Sequence, residues 1–153
     1  MSLAGYTGMY FPYTGESNIN VHAPKALQPA VIGHELAHQL GVAMEDECNF
    51  LGIAACLSSG KTSYEYSGYL YGLIHLSNAL YSVSPELYYG IAATFTPELA
   101  ADWNENSRYW QEMEGPIDEA VEKVYDAYLK GSAQEEGLRS YGLCVDMLVA
   151  YYG

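Results

Sequence analysis

Positive charge is scarce in this chain: six Lys plus Arg face nineteen Asp plus Glu, a formal net charge of −13 over 153 residues. Nucleic-acid binding needs cations that displace counterions from phosphates, so that class of function is excluded. An anionic membrane surface would repel the chain as well. Long apolar runs are also missing. None approaches the roughly 20 residues that span a bilayer, and no basic segment followed by an apolar stretch marks a signal peptide. Cysteine is sparse and odd in number. Cys48, Cys56 and Cys144 show no CxxC spacing, which leaves no basis for a disulfide framework or a cysteine-held zinc. They read as unpaired thiols, small hydrophobes in apolar stretches.

Half of the residues are hydrophobic, which marks a globular chain. Its length suits one domain spanning 1–153 with one core. The chain starts with Met-Ser-Leu and enters directly into a Gly/Tyr-rich segment, so it reads as a piece of a longer protein. Sixteen tyrosines stand against three phenylalanines and two tryptophans. Tyrosine has an apolar body and a polar tip and suits the half-buried rim of a core. The sharper alternative is an exposed tyrosine-rich face that meets another surface, such as missing parts of the parent chain or a membrane interface.

Residues 6–22 carry turn signals at Gly8, Pro12 and Gly15. The alternation over 16–22 predicts a short strand with Ile19 and Val21 on one face. Pro29 opens a helix that stops at Gly41. Further helices are expected over 44–57, 64–81, 86–93, 96–113, 116–130 and 138–151, with Thr96-Pro97-Glu98 as N-cap, first helical residue and first-turn acid. Gly131 and Gly137 bracket a loop. The expected fold class is mainly α, a zincin-like helical domain with a small strand element before the active-site helix.

The chemistry sits in Val31-Ile32-Gly33-His34-Glu35-Leu36-Ala37-His38-Gln39-Leu40. On a helix His34 and His38 lie one turn apart on one face, where both imidazoles can ligate one zinc. Glu35 is adjacent and can take a proton from a metal-activated water. This is the H-E-x-x-H pattern. Two surface histidines on an amphipathic helix are the bland alternative. The apolar flanks argue against it, because a buried Glu between two histidines is expensive without a cation.

The flanks also resemble the extended zincin pattern: Val31 three residues before the first His, uncharged Ile32, Leu36, Ala37 and Gln39, and apolar Leu40. Downstream, Glu45-Asp46-Glu47-Cys48-Asn49 resembles the Glu-x-x-x-Asp signature of the gluzincins. That resemblance implies Glu45 as third zinc ligand and Asn49 as the support of a ligating His. Asn49 stands where the family has Asp; an amide can accept an imidazole N–H but brings no charge. Glu47 competes with Glu45, because the start of the second helix is open by a turn. On a common register Glu45 and Asn49 share a face, and Glu47 points about 200° away from Glu45. The segments TGESNIN, HELAHQLGVAMEDECNF, YSGYL and VYDAYLKGSAQEEGLRSYGLCVDMLVAYY together resemble a bacterial family of uncharacterised, membrane-anchored, zincin-like metallopeptidases. It implies a membrane-associated parent protein, with this domain outside the bilayer.

The expected function is zinc-dependent hydrolysis of peptide bonds in a peptide or protein substrate. His34, His38 and Glu45 would hold Zn2+, Glu35 would act as general base, Asn49 would support a histidine, and residues 16–22 would hold the substrate in extended form. The alternative is a non-catalytic zinc- or peptide-binding sensor or interaction domain of a membrane protein, motivated by Asn49 and by the lack of a clear oxyanion donor. Tyr66, Tyr69, Arg139 and Tyr141 are candidates for that donor, though each alone reads as structural. His75 reads as a satisfied core histidine and His22 as exposed.

Overall fold

The computed structural model of the protein describes residues 7–113 and 141–153. The chain is mainly helical, with a two-stranded antiparallel sheet near its start. The hairpin pairs β1 (Gly8–Phe11) with β2 (Glu16–Ile19), Gly8 opposite Ile19 and Phe11 opposite Glu16. Among the described residues six helices follow: α1 (Gln28–Gln39), α2 (Glu45–Leu57), α3 (Thr62–Val83), α4 (Pro85–Ala92), α5 (Pro97–Met113) and α6 (Tyr141–Tyr152). The helix expected over 116–130 and the loop after it lie outside the described residues. No described helix is long and apolar enough to cross a membrane.

The expected strand over 16–22 is shorter in the structure, and Val21 does not share a face with Ile19. The strand ends at Ile19 because Asn20 turns the chain: its Oδ1 accepts from the His22 backbone N–H at 3.0 Å. Val21 is left 67% exposed. The partner strand β1 falls where only turn signals are legible.

No side chain caps the start of α1 from its own N-cap, Leu27. The orphan Ala30 N–H of the first turn instead donates to the hydroxyl of Ser67 at 3.1 Å. Ser67 is fully buried on α3, so α3 holds the start of α1. The other end of α1 closes with a Schellman turn. Gly41 N–H donates to His38 O and Val42 N–H to Ala37 O, with Gly41 at φ 99°. The chain then reverses into α2, whose first turn carries Glu45, Asp46 and Glu47 at the positive end of the helix dipole.

The core lies between α2, α3 and α6, where Ile53, Cys144 and Leu148 pack with Phe50, Leu57 and Tyr71. The three cysteines are free and buried, as their apolar setting predicts. α1 packs on the other side of α2, and the two helices meet through glycine. A Cβ on Gly52 would sit 2.7 Å from Ala30 O and 3.0 Å from His34 N, and one on Gly33 would sit 2.9 Å from Gly52 Cα.

These neighbours are backbone atoms of packed helices and cannot rotate away. Alanine is worth about 1 kcal/mol over glycine in a helix interior by propensity. At Gly52 the collision outweighs that gain. Gly52→Ala is expected to destabilise the fold by roughly 1–3 kcal/mol, the usual cost of overpacking. Chemical denaturation checks this, and a stabilised variant would mean that the two helices are free to part.

Candidate metal centre

Three side chains converge where α1 ends and α2 begins. His34 and His38 project from one face of α1, and Glu45 returns to them from the first turn of α2. His34 Nε2 lies 3.1 Å from His38 Nε2 and 3.1 Å from Glu45 Oε2, and His38 Nε2 lies 3.4 Å from the same oxygen. These three could hold a metal ion. Bonds of about 2.0–2.1 Å at tetrahedral angles put ligand atoms roughly 3.3–3.4 Å apart, so the triangle has the size a zinc ion demands.

The opposite ring nitrogens fix what the convergent atoms are. His38 Nδ1 lies 2.9 Å from the Val42 carbonyl, an acceptor only, so the proton sits on Nδ1. That carbonyl is supplied by the Schellman turn at Gly41; the loop that stops α1 also orients its second histidine. The Cys48 sulfur lies 3.3 Å from the same Nδ1. His34 Nδ1 donates to Asn49 Oδ1 at 2.8 Å. In neutral rings both Nε2 atoms are then bare, and two lone pairs and a carboxylate oxygen face one another. That arrangement is repulsive without a cation between them.

The protonation equilibria express the same demand. The hydrogen bond to Cys48, then the Glu45 carboxylate, push His38 up to about 11. Burial alone would raise Glu45, but the His34 and His38 imidazoles beside it outweigh that and hold the carboxyl well below its ordinary range. Without a metal, a proton serves as the cation. Two protonated rings 3.1 Å apart would repel, whereas one divalent ion satisfies all three atoms. The donor set of two imidazoles and a carboxylate with an open fourth position suits zinc.

Glu35 lies beneath the hairpin. It is 5% exposed, and its Oε2 has no hydrogen-bond partner among the described residues. Its other contacts tie it to β1: the Tyr10 backbone N–H donates to it, and Gly8 gives it room. A Cβ at Gly8 would collide with the Glu35 carboxylate. β2 is held to the same helix by Ser17, whose hydroxyl donates to the Glu35 carbonyl at 2.9 Å. Burial raises the Glu35 carboxyl; the charge of His34 and then His38 opposes this.

Glu47 is exposed and stands outside the group. Among the oxyanion candidates, Tyr66 donates to Asp102 on α5, and Tyr69 lines an apolar groove of about 730 Å³ between α2, α3 and α6. Arg139 and the side chain of Tyr141 lie outside the described residues. None of the three convergent side chains lines that groove. Several tyrosines gather in two places: exposed Tyr69, Tyr151 and Tyr152 along the groove, and a set of edge-on rings formed by Tyr81, Tyr89 and the half-buried Tyr88. His22 is exposed. His75 packs edge-on against Tyr71 at 4.8 Å, but its Nε2 is buried without a partner among the described residues, so it is not the satisfied core histidine expected. The residue that sequence reasoning passed over is Tyr71, whose hydroxyl donates to Asn49 Oδ1 at 2.7 Å. Its spacing among apolar residues of α3 disguises it as core.

Over residues 1–149 the chain matches the family described as protein of unknown function (DUF3810), and it belongs to that family. No curated protein and no solved structure matches it significantly.

Two measurements test the centre. Zinc affinity is expected to collapse in Glu45→Ala, by more than the roughly 10–100-fold that loss of an outer partner costs. It should survive in Glu47→Ala, and the opposite pattern would remove Glu45 from the ligand set. The second concerns the metal-free protein. Glu35 has its folded pKa raised above 4.5, so between the unfolded and folded values the folded state holds a proton that the unfolded chain has lost. Stability therefore falls as pH rises through that window. Glu35→Gln is expected to stabilise the metal-free fold, by a margin that grows from about pH 4.5 upward and then levels off. A margin flat in pH would show that the carboxyl is not desolvated.

Proposed function

We propose that this chain is a zinc-dependent peptidase of gluzincin type. The observation that carries the proposal is the convergence of His34 Nε2, His38 Nε2 and Glu45 Oε2 within 3.1–3.4 Å of one another, each imidazole held by an acceptor behind it. The carboxylate of Glu35, buried beside it with one oxygen unmatched among the described residues, supports a catalytic role over a structural one, because a purely structural zinc site has no use for such a group.

His34, His38 and Glu45 would hold the ion. A bound zinc supplies Lewis acidity: it lowers the pKa of water to about 7 and polarises a carbonyl. Glu35 removes the proton from the attacking water at its free oxygen. The raised pKa suits it to keep that proton briefly and pass it to the leaving amine. The desolvated setting under β1 excludes the bulk water that would otherwise level its basicity. The hairpin beside α1 is the candidate rest for an extended substrate peptide.

A second reading, a metal-binding module without catalysis, draws on the apolar groove, which lies away from the histidines. Glu35 separates the two. Glu35→Gln keeps size and hydrogen bonding but cannot take the proton. Zinc content is expected to stay that of the wild type while cleavage of a broad peptide library drops by about 10²–10⁴-fold. A chelator should abolish wild-type cleavage. Equal cleavage by variant and wild type would sink the mechanism, and no cleavage by either would favour the module.

A further inference from the structure

Tyr71 reaches the metal centre without touching the ion's position. Its hydroxyl donates to Asn49 Oδ1 at 2.7 Å, and His34 Nδ1 donates to the same oxygen at 2.8 Å. Tyr71 comes from the middle of α3, Asn49 from α2 and His34 from α1. One amide oxygen therefore joins the three helices that build the site. The ring of His75, one turn further along α3, packs edge-on against Tyr71 at 4.8 Å and holds it in place.

Asparagine is an ambiguous support for an imidazole. Its oxygen and its NH2 group are nearly the same size, and a half-turn of the amide exchanges them. With the oxygen toward His34, Nδ1 carries the proton and Nε2 is bare toward Glu45. With the NH2 group toward His34, Nδ1 must accept, and the proton moves to Nε2, where it blocks the ion. An aspartate has no such ambiguity, because both of its oxygens accept. Something must choose the amide's orientation here, and the hydroxyl of Tyr71 is placed to do it. Burial holds the phenol well above its ordinary range, so it stays a donor. Among the described residues the only acceptor its hydroxyl meets is Asn49 Oδ1. Reversing the amide would leave that part-buried donor facing an NH2 group, with no acceptor for its proton.

We infer that Tyr71 is a positioning residue of the metal centre: by claiming the amide oxygen of Asn49, it fixes the His34 tautomer that leaves Nε2 bare toward Glu45. This rests on the metal reading of the site, but its test does not depend on peptide cleavage. Tyr71→Phe removes only the hydroxyl. Zinc affinity is expected to fall by roughly 10–100-fold, the usual effect of losing an outer partner. In the metal-free, 15N-labelled protein, at a pH where His34 is neutral, its ring signals should shift from the Nδ1–H form toward a mixture with Nε2–H. Adding Asn49→Asp to Tyr71→Phe should bring affinity back to that of Asn49→Asp alone, because a carboxylate needs no orientation. Unchanged affinity and an unchanged tautomer in Tyr71→Phe would overturn the inference. So would a loss that Asn49→Asp does not repair, since the hydroxyl would then serve only the packing of α3. If the wild type takes up no zinc, the metal reading fails, and the tautomer measurement still decides the role of Tyr71.

Discussion

The site depends on two helices that touch backbone to backbone. Helices usually pack with axes 8–10 Å apart, the distance their side chains impose. At Gly33 and Gly52 there is no side chain to impose it, and α2 comes close enough that a Cβ on either residue would meet the other helix's main chain. Asn49 and Glu45 lie three and seven residues before Gly52 on α2, toward the Gly41 turn. Their side chains are short, and a wider crossing would leave the amide out of hydrogen-bond reach of His34. The motif histidines are therefore necessary but not sufficient. The ligand triangle is made by the crossing, and the crossing is made by two residues that carry no functional group.

Within that frame the site holds groups that disfavour one another. Three acceptor atoms converge, a carboxylate is buried beside them with one oxygen unmatched among the described residues, and a further acid, Asp46, is buried on the same first turn of α2. A fold optimised only for stability would not collect them. The surrounding structure compensates locally. The Gly41 turn gives His38 its acceptor, the dipole of α2 favours its first-turn acids, and the Tyr10 N–H answers one side of Glu35. A divalent cation at the triangle would relieve the repulsion among its three acceptor atoms.

How much of this was legible in the chain follows from how local each signal is. The helix bearing His34 and His38 announces itself through spacing, Pro29 and Gly41, all within fifteen residues. Glu45 and Asn49 could be named as partners because their segment resembles the gluzincin signature, and the four-residue spacing agrees by putting both on one face of the next helix. Strand β1 could not, because GMYF is short, starts with glycine, and takes its identity from pairing with β2 and from covering Glu35. Gly8 reads as a turn residue, yet its role is to leave room for a carboxylate twenty-seven positions on. Ser67 and Tyr71 are hidden for the opposite reason. They sit in a helix whose pattern is satisfied by packing alone, and their polar atoms matter only through partners on α1 and α2. His75 misleads in the same way: an apolar neighbourhood suggested a satisfied ring, and the ring nitrogen is buried without a partner among the described residues.

The neutral residue at position 49 then has a physical reason. Glu35, Glu45 and Asp46 already bring three carboxyl groups to one short stretch of the α1–α2 crossing. An aspartate at 49 would add another carboxylate close to Glu45, at the cost of like-charge repulsion. An amide avoids the added charge while keeping an acceptor for His34. It introduces a different problem, an orientation that electrostatics no longer dictates. Tyr71 answers that problem with one hydroxyl, delivered from a third helix whose Ser67 also holds the start of α1. The neutral support at position 49 is thus paired with a side chain 22 positions away that gives it direction.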